Sequence, residues 1–109
     1  MHRFLKVLLA ALVCAAAARA DVDPKIVRTW KAKCASCHGV DGKGDTETGK
    51  KAKISDFTKA EWQKSKTDAQ IKGAIENGTK KDGAEMDAYK DKLDAAQIDG
   101  LVQYVRSLK

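Results

Sequence analysis

No run of this 109-residue chain alternates apolar and polar residues with period two, so an exposed β-sheet is not encoded and an all-α domain is expected. There is no internal repeat, linker composition or second domain, and proline occurs once, at Pro24. No Ser/His/Asp arrangement, paired carboxylates, metal cage or phosphate-binding loop stands in the sequence, so it carries no enzyme signature and no enzymatic activity is expected. A long apolar run occurs in one place only. Arg3 and Lys6 precede an uninterrupted stretch from Val7 to Ala18, and Ala18-Arg19-Ala20 supplies a small-x-small cleavage pattern. Residues 1–20 therefore read as a signal peptide cut after Ala20, and residues 21–109 as the mature domain. The apolar stretch falls short of the roughly 20 residues a spanning helix needs. Val13 ahead of Cys14 is too large for a lipoprotein signal.

Cleavage removes three of the 21 basic residues, Arg3, Lys6 and Arg19, leaving 18 against 15 acidic ones, a net charge of +3. So small an excess is no footprint for nucleic acid. Of the three cysteines, Cys14 leaves with the signal peptide, and Cys34 and Cys37 remain.

Those two are followed directly by a histidine, in Cys34-Ala35-Ser36-Cys37-His38, the attachment signature of a c-type haem. On a helix, Cys34 and His38 share a face and Cys37 lies a turn from Cys34. Each thiol can then add to a haem vinyl group as a thioether while the imidazole reaches the iron. A redox CxxC pair would sit near a βαβ pattern, absent here, and zinc would need two further ligands that the mature chain lacks. Both thiols are consumed by haem, so no disulfide staples the fold. Haem attachment takes place outside the cytoplasm, in agreement with the leader and with a periplasmic protein that has no stable membrane insertion. A domain this small has little core of its own, and a covalently held haem, one per chain, would supply the missing apolar centre.

The second iron ligand follows by elimination. With His2 and Met1 lost, His38 is the last histidine and Met86 the last methionine. Met86 lies 48 residues after His38 between acidic flanks, Glu85 and Asp87, an unusual setting for a core filler. Lys80, Lys81 or an open position are the alternatives.

Helices joined by irregular loops are expected. Asp23 caps a first helix with Pro24 at its first position, Ile26, Val27, Trp30, Cys34 and Cys37 follow helical spacing, and Gly39 ends it. Gly42, Gly44 and Gly49 mark a flexible loop. Capping boxes Thr58-x-x-Glu61 and Thr67-x-x-Gln70 open a short helix with Trp62 and a second with Ile71, Ala74 and Ile75, closed by Asn77-Gly78. A loop runs from Thr79 to about Leu93. Asp94-x-x-Gln97 then opens the last helix, with Ile98, Leu101, Val102, Val105 and Leu108 in one stripe.

These motifs together resemble the class I c-type cytochromes of the short bacterial, monohaem type, similar to cytochromes c6 and c553, over nearly all of residues 23–109. A first helix ending in CxxCH-Gly, a glycine-rich loop, Met86-Asp87-Ala88-Tyr89 and an aliphatic final helix with Tyr104 carry the likeness. The resemblance implies about four helices wrapped around one covalently bound haem, His38 and Met86 as axial ligands, and a crossing of first and last helices at Trp30, Tyr104 and Gly100. It implies a one-electron carrier, monomeric, meeting redox partner proteins at its exposed haem edge, where Lys50, Lys51, Lys53, Lys80, Lys81, Lys90 and Lys92 would lie. A haem-bearing subunit of a larger oxidoreductase is the alternative, or a ligand sensor or peroxidase if Met86 leaves the iron open. Phe57 and Trp62 would pack on the haem. Two positions depart from the pattern. No proline follows CxxCH, so the acceptor for His38 Nδ1–H is expected among other backbone carbonyls between Lys43 and Ile54. Asp87 stands where proline usually follows the ligand methionine, which implies a more mobile loop.

Overall fold

A computed structural model describes residues 22–81 and 84–109; the signal peptide expected over 1–20 lies outside the described residues. Helix α1, Pro24–Lys33, starts where Asp23 Oδ1 accepts from Lys25 N–H at 2.9 Å, with Pro24 in the first turn and Lys31 and Lys33 in the last. Each of these choices agrees with the helix dipole and the unpaired end amides. The chain breaks at Cys34 and resumes as the single turn α2, Ala35–His38, which ends at Gly39.

Helix α3, Glu47–Ala52, occupies the stretch expected to be a flexible loop. One side chain explains it. Thr46 Oγ1 accepts from Gly49 N–H at 2.8 Å and donates to Cys37 O at 2.7 Å, capping α3 while fastening it to α2. Helix α4, Ala60–Ser65, forms as expected but without the Thr58 box. Thr58 Oγ1 instead donates to Asp56 Oδ1 at 2.6 Å, and the N-cap residue is Lys59, whose side chain caps nothing. The other two boxes form in full, Thr67 with Gln70 opening α5, Asp68–Asn77, and Asp94 with Gln97 opening α6, Ala95–Ser107.

The expected irregular loop after α5 contains a small antiparallel ladder. Strand β1, Thr79–Lys81, pairs with β2, Ala84–Met86, in the register Thr79↔Met86, Lys80↔Glu85 and Lys81↔Ala84. Three-residue strands are too short for a period-two pattern to register. The domain remains helical in class, with six helical segments among the described residues instead of about four, one of them a single turn.

Helix α6 is the spine. It packs on α1 and on α5, and Ile98, Leu101, Val102, Tyr104 and Val105 are buried against Ile26 and Trp30 of α1 and Ile71 and Ile75 of α5. The crossing with α1 is as expected, with Trp30 and Tyr104 ring centroids 4.9 Å apart. This single layer of helices leaves a cleft bounded by α1, α5, α6 and the β-hairpin.

Candidate haem site

The cleft is lined by Trp30, Ile54, Phe57, Trp62, Ile71, Ile75, Leu93, Leu101 and Val105, with Cys34, His38 and Met86 among its walls. Its cavity volume is about 260 Å³, near the lower end of the roughly 300–1,000 Å³ of ordinary small-molecule clefts, and it opens to solvent on one side. The apolar lining suits a flat macrocycle, and the donor set in its walls, a thiol, an imidazole and a thioether, is the chemistry haem attachment and ligation require.

Helix α2 positions the first half of this set. His38 N–H donates to Cys34 O at 2.9 Å, and the Trp30 indole N–H donates to Gly39 O at 2.9 Å, tying the end of α2 to α1. Cys34 faces the cleft, and burial pushes its thiol up to about 11 against the opposing pull of Lys33. Cys37 lies one turn on, half-buried, and is not among the lining residues. The His38 ring stacks on Phe57 at 4.9 Å and lies 5.7 Å from Trp30, while burial lowers its pKa so that the neutral imidazole prevails at neutral pH. Its Nδ1 is buried and has no hydrogen-bond partner. No backbone carbonyl between Lys43 and Ile54, where the acceptor is expected, bonds it.

Met86, at the end of β2, reaches the same cleft from the far side of the sequence. Lys81 also lines it; Lys80 does not. The Phe57 and Trp62 rings lie 4.3 Å apart, tilted by 33°, and both line the cleft. Among the seven lysines expected near the haem edge, Lys50, Lys51 and Lys92 form exposed ion pairs with Asp45, Glu47 and Asp87 at 3.1, 3.4 and 3.7 Å. Lys53 and Lys81 sit at the cleft itself. Among the described residues no three His, Cys, Asp or Glu side chains gather as a metal site.

Gln63 is a further residue behind the cleft wall. This buried side chain donates from Nε2 to Phe57 O at 2.8 Å and Val105 O at 2.9 Å, and its Oε1 accepts from Arg106 Nη1 at 3.0 Å. It holds the Phe57 wall to α6. A lone glutamine in a polar helix gives no local signal of this. Its three partners are 6, 42 and 43 residues away.

The Cytochrome c family model matches residues 25–109. Among solved structures, the KustC0563 c-type cytochrome is 32% identical with a TM-score of 0.66, over 76% of this chain and 95% of that one. A Kustc0563 mutant is 33% identical, with the same TM-score, over 77% and 98%. No curated protein matches the chain. The chain belongs to the cytochrome c family. Its cofactor is haem c, an iron porphyrin held covalently, and it is a haem-binding electron-transfer protein. Among the described residues no helix is long and apolar enough to cross a membrane.

Proposed function

We propose that the protein is a periplasmic one-electron carrier in which Cys34 and Cys37 hold haem c through thioethers, and His38 and Met86 are the axial ligands of its iron. The observation that carries this reading is the presence of Cys34, His38 and Met86 in the walls of one apolar cleft, although Met86 lies 48 residues beyond His38. Haem c supplies one-electron exchange between ferrous and ferric iron. His38 offers a neutral nitrogen, the form that binds a metal. Met86 offers an uncharged thioether, which raises the reduction potential. With both axial positions taken by side chains, no coordination position is left for oxygen or a substrate, and the protein is not an enzyme. Trp30, Phe57, Trp62 and Leu101 exclude water from the cleft and so limit reorganisation around a change of charge. Lys53 and Lys81 at the cleft, with Lys50, Lys51, Lys80, Lys90 and Lys92 on the surface, would steer an acidic redox partner to the haem edge, the protein itself acting as a monomer. Arg3, Lys6 and the apolar stretch behind them support export with cleavage after Ala20.

The test is to express the full chain in a bacterial periplasm that matures c-type haem and to record oxidised and reduced spectra of wild type and Met86→Ala. Low-spin iron with the weak red charge-transfer band of ferric methionine ligation, lost in Met86→Ala, is expected. A high-spin wild type, or a band untouched by the substitution, would remove Met86 from the iron and bring forward a ligand sensor or peroxidase.

A further inference from the structure

The backbone on both sides of Met86 is closed against the end of α5. Gly78 follows α5 with φ 72 and ψ 178, a region open essentially to glycine alone. A Cβ on Gly78 would collide with Met86 O and lie 3.0 Å from both Ala88 N and the Asp87 carbonyl carbon. The residue next to Gly78, Thr79, is the ladder partner of Met86. Downstream, Tyr89 N–H donates to Ile75 O at 2.9 Å and Lys90 N–H to Glu76 O at 3.2 Å. Those carbonyls belong to the last turn of α5, where a helix has no partners of its own to offer. The Tyr89 hydroxyl donates to Lys33 O at 3.3 Å, next to Cys34. Residues 86–90 thus form a cap on α5, seated through the space that Gly78 leaves.

We propose that Gly78 is a positioning residue for Met86: the backbone latch formed by Gly78 with the Tyr89 and Lys90 amides fixes the methionine at the cleft, in the role that a proline at position 87 would serve. This rests on the reading of Met86 as an iron ligand. Asp87 then needs no intrinsic rigidity, because the restraint comes from tertiary hydrogen bonds and close contact instead of a fixed φ.

The experiment compares wild type, Gly78→Ala, Gly73→Ala and Met86→Ala as haem-loaded proteins. Gly73 lies in the same helix, and a Cβ there meets nothing within 4 Å, so Gly73→Ala controls for a methyl group added to α5. The readouts are the red band of the ferric protein and the affinity for added imidazole, which competes with methionine for the iron. Gly78→Ala is expected to lose or weaken the band and to bind imidazole about 10- to 100-fold more tightly, the scale on which outer partners of metal ligands act. Gly73→Ala should match wild type in both. A Gly78→Ala protein that keeps the band and the wild-type imidazole affinity would overturn the latch and leave Met86 ligation standing. A wild type without the band would overturn Met86 ligation itself, and the latch with it. Should Gly78→Ala not fold, amide hydrogen exchange on wild type decides: protection of the Tyr89 and Lys90 amides comparable to the core of α6 supports the latch, and exchange at the rate of exposed loops overturns it.

Discussion

Gly100 of α6 lies so near Ile26 of α1 that a Cβ built on it would stand 2.7 Å from Ile26 Cδ1 and 2.8 Å from Cγ1. Any side chain at position 100 would have to displace Ile26 for the two helices to approach as they do. Their approach is what brings Trp30 against Tyr104, and Trp30 in turn ties down Gly39 at the end of the haem-attachment turn.

A bulkier residue at position 100 is therefore expected to destabilise the protein despite its better helix propensity. Alanine would gain about 1 kcal/mol of propensity, set against an overpacking cost of about 1–3 kcal/mol. Gly100→Val adds further bulk and should be worse. The cost should fall sharply in the double variant Gly100→Ala/Ile26→Val, since the two side chains share one space. Denaturant unfolding of the four haem-loaded proteins measures the coupling, and strictly additive effects would contradict the contact.

Gln63 is expected to be the most sensitive polar residue of the core. Gln63→Leu leaves the Phe57 carbonyl without its side-chain donor, at about 1–3 kcal/mol, while Val105 O keeps the Leu108 N–H. Gln63→Glu should be worse at neutral pH, because it turns an acceptor oxygen toward two carbonyl oxygens, even with Arg106 beside it. Thermal melts of the two variants check this order. A Gln63→Glu protein as stable as wild type would mean that the network does not hold the Phe57 wall.

Asp56 makes the acid limb of stability testable. The Thr58 hydroxyl bond lowers its pKa, aided by the Thr58 amide and by Lys59 and Lys43, against the opposing effect of desolvation. A lowered folded-state pKa contributes stability that is present above the unfolded carboxylate value of about 4 and lost as pH falls toward the folded value. Wild type should thus exceed Asp56→Asn in stability at neutral pH, with the gap closing below about pH 4. A gap that stays constant across that window, measured by urea unfolding at each pH, would rule out the linkage.

The two complete capping boxes should each be worth a measurable amount. Thr67→Ala and Asp94→Ala remove the side-chain acceptors for Gln70 N–H and Gln97 N–H, each costing about 1 kcal/mol. For a domain of this size that corresponds to about 4–8 °C in Tm. Thr58→Ala should leave α4's start unaffected, because Thr58 caps nothing, and circular dichroism melts of the three variants would separate these cases.

Where the chemistry is local, it was legible in the residues. The Asp23-Pro24 start, the boxes at Thr67 and Asp94, the stripe on α6 and the arrest at Gly78 all depend on groups within four residues of one another and appear as read, whereas the first helix, expected to run on to Gly39, breaks at Cys34. The attachment motif identified the cofactor for the same reason, since two thiols and an imidazole within a single turn and a half leave few other chemistries. Met86 became a candidate by counting alone, as the last methionine in the mature chain.

Tertiary structure decided whatever depends on atoms distant in sequence. Helix α3 exists because the Thr46 hydroxyl finds Cys37 O as well as Gly49 N–H, and its glycines conceal it from any propensity argument. The box at Thr58 fails because Asp56 offers that hydroxyl a charged acceptor. Gln63 matters only once Phe57, Val105 and Arg106 surround it. Asp87 in place of proline implies a looser methionine loop, while the Tyr89 and Lys90 amides of that loop bond carbonyls in the last turn of α5, contacts no local pattern announces. A residue's hydrogen-bonding and packing capacity is written in its type; which partner satisfies that capacity is set by how the helices close around the cleft.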